Sequence, residues 1–196
     1  MDTLDTIFLL VFFLIVIIIG KSISSNHIKQ SIPENFNKIP LPDIIHDNTC
    51  PTWKYKYVYV EIFFYIFLAM ALYRLWYCNQ LMTVFEIGLL WEIFHIFKLM
   101  CSIVTVLPDP SGICHTKGTI GGCNDLLPSG HSSMLLIMLF VIWNYLDIYW
   151  KISFLLLFSI YVIMNIVVRN HYTIDIVMSS IVSYAMYKFF HPYFTE

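Results

Sequence analysis

The sequence has few charged residues for its length. Asp, Glu, Lys and Arg make up 12% of its 196 residues, whereas a soluble globular domain carries about 25%. Hydrophobic residues make up 59% of the chain. Because so few charges cannot cover a surface that faces water, much of the surface must face lipid instead. The composition therefore predicts an integral membrane protein.

Two further absences narrow the range of functions. The sequence has no run of basic residues, which argues against nucleic acid as a partner. The five cysteines have no CxxC spacing, which argues against a zinc ribbon or a dithiol redox motif. The sequence also has no internal repeat and no low-complexity tract, and we interpret it as one domain.

Six apolar runs are present instead, and a helix that crosses a bilayer needs about 20 apolar residues. The runs cover residues 6–20, 57–77, 82–107, 132–149, 152–168 and 172–190. Backbone groups in lipid must form their hydrogen bonds within their own segment. The predicted fold class is therefore all-α: a polytopic membrane protein built as a six-transmembrane-helix bundle.

The runs divide the chain into three parts. We predict an N-terminal transmembrane anchor over residues 1–20, a proline-containing extramembrane loop over 21–56, and the main membrane domain over 57–190. The first run is short for a span, so a cleaved signal peptide is the alternative for it. Its leader, residues 1–5, is acidic where a signal peptide is basic, which favours a retained anchor.

Two polar clusters stand at the ends of predicted helices. The first is Pro128 to His131, where a loop meets the fourth run, and the second is His171 to Asp175, at the head of the sixth. Between them the chain forms one helix, a tight turn and one helix that returns. Both histidines are therefore expected on the same membrane face.

The residue types of these clusters suit phosphoryl transfer. His171 and Asp175 lie four residues apart, on one face of a helix, where the carboxylate can hold the imidazole in one tautomer and raise its nucleophilicity. His131 can protonate a leaving group and later deprotonate an incoming hydroxyl. Each histidine alone is more often an interfacial polar residue, and only the two clusters together favour catalysis.

Groups that can bind an anion accompany the histidines. Gly130 allows close backbone approach, and Ser129 and the free N–H groups of the fourth helix can receive phosphate oxygens. Arg169 offers a fork for a phosphate. Lys98, within the third run, either points toward that phosphate or belongs to a structural polar seam. These groups predict a phosphohistidine mechanism that needs no metal and no other cofactor.

The same residues resemble the type 2 phosphatidic acid phosphatase superfamily, and more closely its sphingomyelin synthase branch. The PLPD segment of that branch resembles residues 40–43, and its TxLPxPG segment resembles residues 105–112, which have one residue more. Its CGDxxxSGHT segment resembles residues 123–132, and its HYTxD segment resembles residues 171–175. The likeness extends over about residues 40–190.

The resemblance implies a six-span enzyme with residues 57–190 as its catalytic domain. It implies transfer of phosphocholine, phosphoethanolamine or phosphoinositol from a glycerophospholipid to ceramide, with release of diacylglycerol, so membrane lipids are the expected partners. By this likeness His131, His171 and Asp175 form the catalytic triad, and Asp125 belongs to the substrate site. The alternatives are a lipid phosphate phosphatase and a non-catalytic membrane relative.

Departures from the family pattern bear on specificity. The Cys-Gly-Asp of the family is Cys123-Asn124-Asp125 here, and a third-span arginine of the family falls on Lys98, which keeps the charge and loses the bidentate fork. The KxxxxxxRP motif of the lipid phosphatases is absent, which favours the transferase branch.

Sidedness and disulfide bonding are linked. The resemblance implies a lumenal or external catalytic face, in the Golgi, the endoplasmic reticulum or the plasma membrane. The loops of that face carry seven Lys and Arg residues and the opposite face three, a bias that the positive-inside rule assigns to the cytosol. A Cys114–Cys123 disulfide is expected if the face is lumenal, and free thiols are expected if it is cytosolic.

Overall fold

The structure, a computed structural model, describes residues 7–8, 11–12, 14–23, 40–50, 57–80, 82–111 and 127–195. All regular secondary structure in these residues is helical, which confirms the predicted all-α class for this part of the chain. The helices are α1 (Leu14–Ile23), α2 (Ile44–Asp47), α3 (Tyr57–Tyr77), α4 (Thr83–Val104), α5 (Gly130–Ile142), α6 (Ile148–Val167), α7 (Thr173–Phe190) and α8 (Pro192–Thr195).

Among the residues that the structure describes, three helices are long and apolar enough to cross a membrane. They are α3 over Val58–Tyr77, α4 over Thr83–Val104 and α6 over Ile148–Val167. The described residues of α1 form a shorter apolar helix, as does α5 together with the 3₁₀ turn that follows it. The three long helices indicate a membrane protein, in agreement with the composition.

The central helix of the bundle is α5. It packs against α3, α4, α6 and α7, and nine of its 13 residues are buried. A helix that is apolar on all sides belongs in such a position, because neighbouring helices then cover every face. The first turn of α5, which carries one of the two polar clusters, is thereby held among four other helices.

The outer faces of α3, α6 and α7 expose large apolar side chains. Ile62 and Tyr65 on α3, Leu156 and Ile163 on α6, and Ile181 on α7 are each at least 47% exposed. Such a surface is unfavourable in water over so many neighbouring residues. It matches the lipid-facing surface that the low charge content predicts.

The boundaries of α3 to α7 lie within three residues of the predicted runs except between α5 and α6. Helix α3 coincides with the predicted run 57–77. The predicted boundary between the fourth and fifth runs is wrong, because α5 ends at Ile142 and α6 already begins at Ile148. The carboxylate of Asp147 accepts the N–H groups of Tyr149 and Trp150 at 3.1 Å each. This cap starts α6 inside what is otherwise a continuous apolar stretch.

Ion pairs mark the end of the bundle at which α5 and α7 terminate. Arg74 of α3 donates to the Asp147 carboxylate at 3.3 Å and to the carbonyl O of Tyr145 at 3.1 Å. Glu86, in the first turn of α4, pairs with His191 after the last residue of α7. Both polar clusters that the sequence analysis identified lie at the other end, where α5 and α7 begin.

Helix α1 packs closely on α4. Ile17 is buried, and a Cβ on Gly20 would lie 2.1 Å from Cδ2 of Leu99. The missing side chain of Gly20 is therefore what allows this approach. Helix α1 also continues to Ile23, past residue 20 where the anchor was predicted to end, so Lys21 is part of the helix.

We expect Gly20→Ala to lower the melting temperature of the protein in detergent, by overpacking that costs about 1–3 kcal/mol. The same substitution in a Leu99→Ala background should have little further effect, because the clashing methyl group is gone. Ser22→Ala, at an exposed position of the same helix, is the control. A Gly20→Ala protein as stable as the wild type would contradict the close α1–α4 packing.

Candidate active site

The first turns of α5 and α7 lie side by side. The N–H of Ser129, the residue that caps α5, donates to the carbonyl O of Asp175 at 3.4 Å. The Ser179 hydroxyl lies 3.0 Å from the carbonyl O of Ser129 and 2.6 Å from that of Asp175, and its single proton is shared between them. These bonds bring both polar clusters to the same end of the bundle. The imidazoles of His131 and His171 are close enough there to interact electrostatically.

The ring of His171 is oriented by Asp175. Its Nδ1 lies 3.3 Å from Oδ2 of Asp175, which also accepts the N–H of Tyr172 at 2.9 Å. The carboxylate accepts from this ring when Nδ1 carries the proton, which leaves the lone pair of His171 on Nε2. Asp175 is completely buried. It caps α7 and at the same time selects the tautomer that an Nε2 nucleophile needs.

His131 lies on the first turn of α5, opposite α3. Its ring meets the ring of Phe64 edge-on, with the centroids 4.8 Å apart. The side chain is exposed, whereas His171 is buried. One fixed, buried imidazole and one accessible imidazole therefore share this end of the bundle, an arrangement suited to a nucleophile and a separate acid–base group.

Ser129 and Gly130 form the N-terminus of α5. The Ser129 Oγ accepts the N–H of Ser132 at 3.4 Å and donates to the Ser132 Oγ at 3.0 Å. This fully buried hydroxyl already has its partners within the helix cap. The predicted contact between Ser129 and a phosphate therefore stays a prediction. A Cβ on Gly130 would lie 3.4 Å from Nε2 of His95. That is an ordinary contact, so the surrounding protein atoms do not by themselves require glycine at this position.

Lys98 extends from α4 toward the start of α5. It is 6% exposed, and its Nζ donates to the carbonyl O of Pro128 at 2.9 Å. A lysine within an apolar helix faces a partner or a cavity, because lipid cannot solvate its charge. Here the side chain lies beside Gly130 and interacts electrostatically with His131. Lys98 is therefore on the same side as the candidate site, and its contact with phosphate stays a prediction.

Arg169 is engaged by the protein itself. It lies in the turn between α6 and α7 and has a left-handed backbone φ of 59°. Its Nη2 donates to the carbonyl O of His46 at 2.7 Å. The contact that the sequence predicted between Arg169 and a phosphate stays a prediction, and part of the guanidinium already has another partner.

No site role was predicted for residues 40–50, which we call the α2 segment. In the structure this part of the predicted loop lies directly against the His171 turn. Oδ2 of Asp43 accepts the N–H of Thr173 at 2.7 Å, and Oδ1 accepts the Thr173 hydroxyl at 3.0 Å. The carboxylate of Asp43 thus joins the α2 segment to the first residue of α7.

A tyrosine hydroxyl ties two loops to the same turn. The Tyr172 hydroxyl accepts the N–H of Leu41 and donates to the carbonyl O of Pro108, both at 2.9 Å. Leu41 and Pro108 belong to two of the segments that carry the family resemblance, residues 40–43 and 105–112. The resemblance was thus the signal in the sequence that could have assigned these segments to the site.

Two further charged residues reach the site with no signal in the sequence. Glu61 of α3 interacts electrostatically with His171. Lys21, at the end of α1, interacts in the same way with His95 and His131. Both residues stand in helices that are remote from the two polar clusters along the chain. Helix packing alone brings their charges to the histidines.

Burial and hydrogen bonding shift two pKa values in the α2 segment. Burial raises the pKa of Asp43, but the hydrogen bonds from Thr173 and Ile45 outweigh this effect, and the pKa lies below its usual 3.8. Burial lowers the pKa of His46 below its usual 6.5; the Asp43 carboxylate opposes this shift and the Arg169 guanidinium adds to it. The α2 segment therefore favours an ionised Asp43 and a neutral His46.

Three predicted residues lie outside the described part of the chain. They are Asp125, expected in the substrate site, and Cys114 and Cys123, expected to form a disulfide on a lumenal face. Their roles stay predictions.

One comparison with known proteins gives a match. Residues 122–192 match the family model described as PAP2 superfamily C-terminal. This segment contains His131, His171 and Asp175. It is similar to the PAP2 superfamily, whose members are phosphatases or transferases that act on phosphate esters. Neither the curated proteins nor the solved structures gave a match.

We expect folded-state stability to fall as the pH drops below about 6.5, in part because of His46. The unfolded chain binds a proton at this histidine near pH 6.5, and the folded protein binds it only at a lower pH. The contribution from Asp43 is lost only below pH 3.8. His46→Gln, which cannot titrate, should show a smaller decrease in melting temperature between pH 7 and pH 5. Equal decreases for both proteins would contradict a lowered His46 pKa.

Proposed function

We propose that the chain is a membrane-embedded transferase that moves a phosphate-linked head group from a glycerophospholipid to ceramide and releases diacylglycerol. One observation carries this proposal: the His171–Asp175 pair and His131 share one end of a lipid-exposed helical bundle. The match of residues 122–192 to the PAP2 superfamily supports the phosphate-ester chemistry. The resemblance to sphingomyelin synthases supports the choice of donor and acceptor.

The proposed reaction has two displacements at phosphorus. Nε2 of His171 attacks, and the bond between phosphorus and the diacylglycerol oxygen breaks as protonated His131 gives that oxygen its proton. Neutral His131 then takes the proton of the ceramide hydroxyl, whose oxygen attacks phosphorus. The P–N bond to His171 breaks, and both histidines return to their starting states. Asp175 keeps the His171 ring oriented and stabilises its charge throughout.

Phosphate binding is proposed to rest on Lys98, Lys21 and the first N–H groups of α5. The two lysines interact electrostatically with His131 from different helices, and the helix N-terminus adds favourable dipoles for an anion. The negative charge of a bound phosphodiester in turn favours the protonated form of His131 that the first step requires. Arg169 is held by the α2 segment and is the less favoured phosphate ligand.

A transferase is favoured over a phosphatase by the two segments that resemble the synthase branch. Residues 40–43 and 105–112 supply Leu41 and Pro108, which bind the hydroxyl of Tyr172 next to His171. A lipid phosphatase would share the covalent step and use water as the acceptor. The choice between these reactions therefore depends on what reaches phosphorus in the second displacement.

The proposed topology has six spans, with α1, α5 and α7 added to the three long helices. Helix α7 contains several serines, and Ser179 and Ser180 donate to the carbonyl O atoms four residues earlier. Such bonds satisfy serine hydroxyls inside a membrane helix. We propose that the catalytic face is lumenal or external, in an endomembrane or the plasma membrane, as in the enzymes that the sequence resembles.

We expect His171→Ala to reduce head-group transfer at least about 1,000-fold, because it removes the proposed nucleophile. The assay uses purified protein in liposomes with fluorescent ceramide and phosphatidylcholine, phosphatidylethanolamine or phosphatidylinositol. A labelled phosphosphingolipid identifies a transferase, and inorganic phosphate released from added phosphatidic acid identifies a phosphatase. The mutant must retain the wild-type elution volume in detergent. Undiminished turnover in this mutant would exclude the mechanism.

We expect Lys21→Met to raise the KM for the phospholipid about tenfold, a loss of about 1.4 kcal/mol in binding, and to weaken inhibition by orthovanadate similarly. Lys21→Arg should stay within about threefold of the wild type, because it keeps the positive charge. Lys188→Met, an exposed lysine in the last turn of α7, is the control for overall charge. If Lys21→Met and Lys188→Met behave alike, Lys21 is not a phosphate ligand.

A further inference from the structure

The turn that presents His171 has an unfavourable backbone conformation. Arg169 has a φ of 59°, in the left-handed region that non-glycine residues seldom occupy. The turn is short: the N–H of Arg169 donates to the carbonyl O of Ile166 at 2.8 Å, and α7 begins at Thr173. The N–H of Asn170 also donates to the carbonyl O of Asn165 at 3.1 Å, so these two backbone bonds close α6 with a left-handed residue and hold one side of the turn. The contacts that hold this turn are therefore informative about His171.

Two reciprocal hydrogen bonds join this turn to the α2 segment. The guanidinium Nη2 of Arg169 donates to the backbone carbonyl O of His46 at 2.7 Å. The ring Nε2 of His46 lies 3.2 Å from the backbone carbonyl O of His171. Each segment thus contributes one side chain and one backbone carbonyl. The two bonds enclose the turn from both sides of Asn170.

The hydrogen bond between Nε2 of His46 and the carbonyl O of His171 determines which ring nitrogen of His46 carries a proton. A carbonyl oxygen only accepts, so Nε2 of His46 must carry the proton. The ring is 4% exposed, and its Nδ1 has no hydrogen-bond partner in the described part of the chain. The ring also lies beside the Tyr172 ring, with the centroids 5.5 Å apart. Neutral His46 with its proton on Nε2 is therefore the form that fits this site.

We infer that His46 and Arg169 form a clasp that positions His171 for attack on phosphorus. Asp175 fixes the imidazole ring of His171, and His46 fixes the backbone carbonyl of the same residue. Together the two contacts determine where Nε2 of His171 points. Both members of the clasp are positioning residues, because they act through His171 and do not touch the reacting atoms. This inference rests on the proposed function. It gives His46 a role, and it gives Arg169 a role other than the phosphate contact that the sequence predicted.

The α2 segment has other attachments, which makes the clasp testable. Asp43 binds the N–H and the hydroxyl of Thr173, and Leu41 binds the hydroxyl of Tyr172. These bonds can keep the α2 segment in place when the side chain of residue 46 is changed. A substitution at position 46 then alters the alignment of His171 more than it alters the fold.

The test compares three substitutions of His46. The amide nitrogen of Gln can reach the position of the imidazole Nε2 and donate to His171, whereas Asn is too short and Leu has no donor. We expect His46→Leu and His46→Asn to lower kcat about 10- to 100-fold with KM within about threefold, because small misplacements of a nucleophile are costly. His46→Gln should keep kcat within about threefold of the wild type.

Arg169 provides the second arm of the test. Arg169→Met removes the donor to the His46 carbonyl and should lower kcat to a similar degree, and Arg169→Lys should restore part of the loss. Because both bonds act on one turn, the Arg169→Met/His46→Leu double mutant should be less impaired than the product of the single effects. Fully multiplicative effects would show that the two residues act separately and would overturn the clasp.

A readout that does not need turnover separates the clasp from the proposed reaction. In ¹⁵N-histidine spectra of the protein in micelles, the clasp predicts a proton on Nε2 of His46 and a proton on Nδ1 of His171. His46→Leu should broaden or shift the His171 Nδ1–H signal, and His46→Gln should leave it in place. An unchanged signal in His46→Leu, or a His46→Gln protein as impaired as His46→Leu, would overturn the clasp. A wild-type protein with this spectrum and no activity on lipid phosphates would overturn the proposed function alone.

Discussion

The parallel packing of the first turns of α5 and α7 is the constraint on which the rest of the site depends. Ser129 stands at its centre: its N–H binds the carbonyl O of Asp175, and its own carbonyl O accepts the Ser179 hydroxyl. The same residue caps α5. A change in the register of these two helices would separate His131 from His171, because each histidine is fixed to the first turn of its helix or to the turn before it.

Around α5 and α7, apolar and charged side chains require opposite surroundings. Apolar side chains on α3, α6 and α7 face outward, where lipid is the favourable surrounding. Charged and polar groups converge inward on one end of the bundle: Lys98 from α4, Lys21 from α1 and Asp175 from α7. Charges in such a place are costly unless they serve partners or a ligand. The lipid-exposed exterior and the polar end are together what a lipid head-group enzyme requires, since its substrate has one apolar and one charged part.

Composition alone predicts that residues 40–50 belong to a loop outside the membrane. The structure adds that this segment holds the turn that carries His171. Its prolines and polar residues exclude a membrane helix, and nothing in that argument says where the segment lies. In the structure it contacts the turn before α7 through Asp43, His46 and Leu41. The turn that carries His171 is therefore held from outside the bundle as well as from within. Contacts between segments so distant along the chain are invisible to periodicity and become apparent only through folding.

The sequence by itself determined the helical class, the apolar exterior and the two histidine clusters at helix ends, because composition, run length and short motifs are local properties. It also identified Asp175 as the partner of His171, but the predicted reason, a shared helix face, was wrong. His171 precedes α7, which begins at Thr173, and the two side chains meet because the Asp175 carboxylate reaches back over the helix N-terminus. Tertiary structure decided the early start of α6, which depends on the cap by Asp147, and the engagement of Arg169 by His46. It also decided that Lys21 and Glu61 reach the histidines. These features depend on which helices pack together, and that choice is made by the shape and burial of whole surfaces rather than by any local pattern.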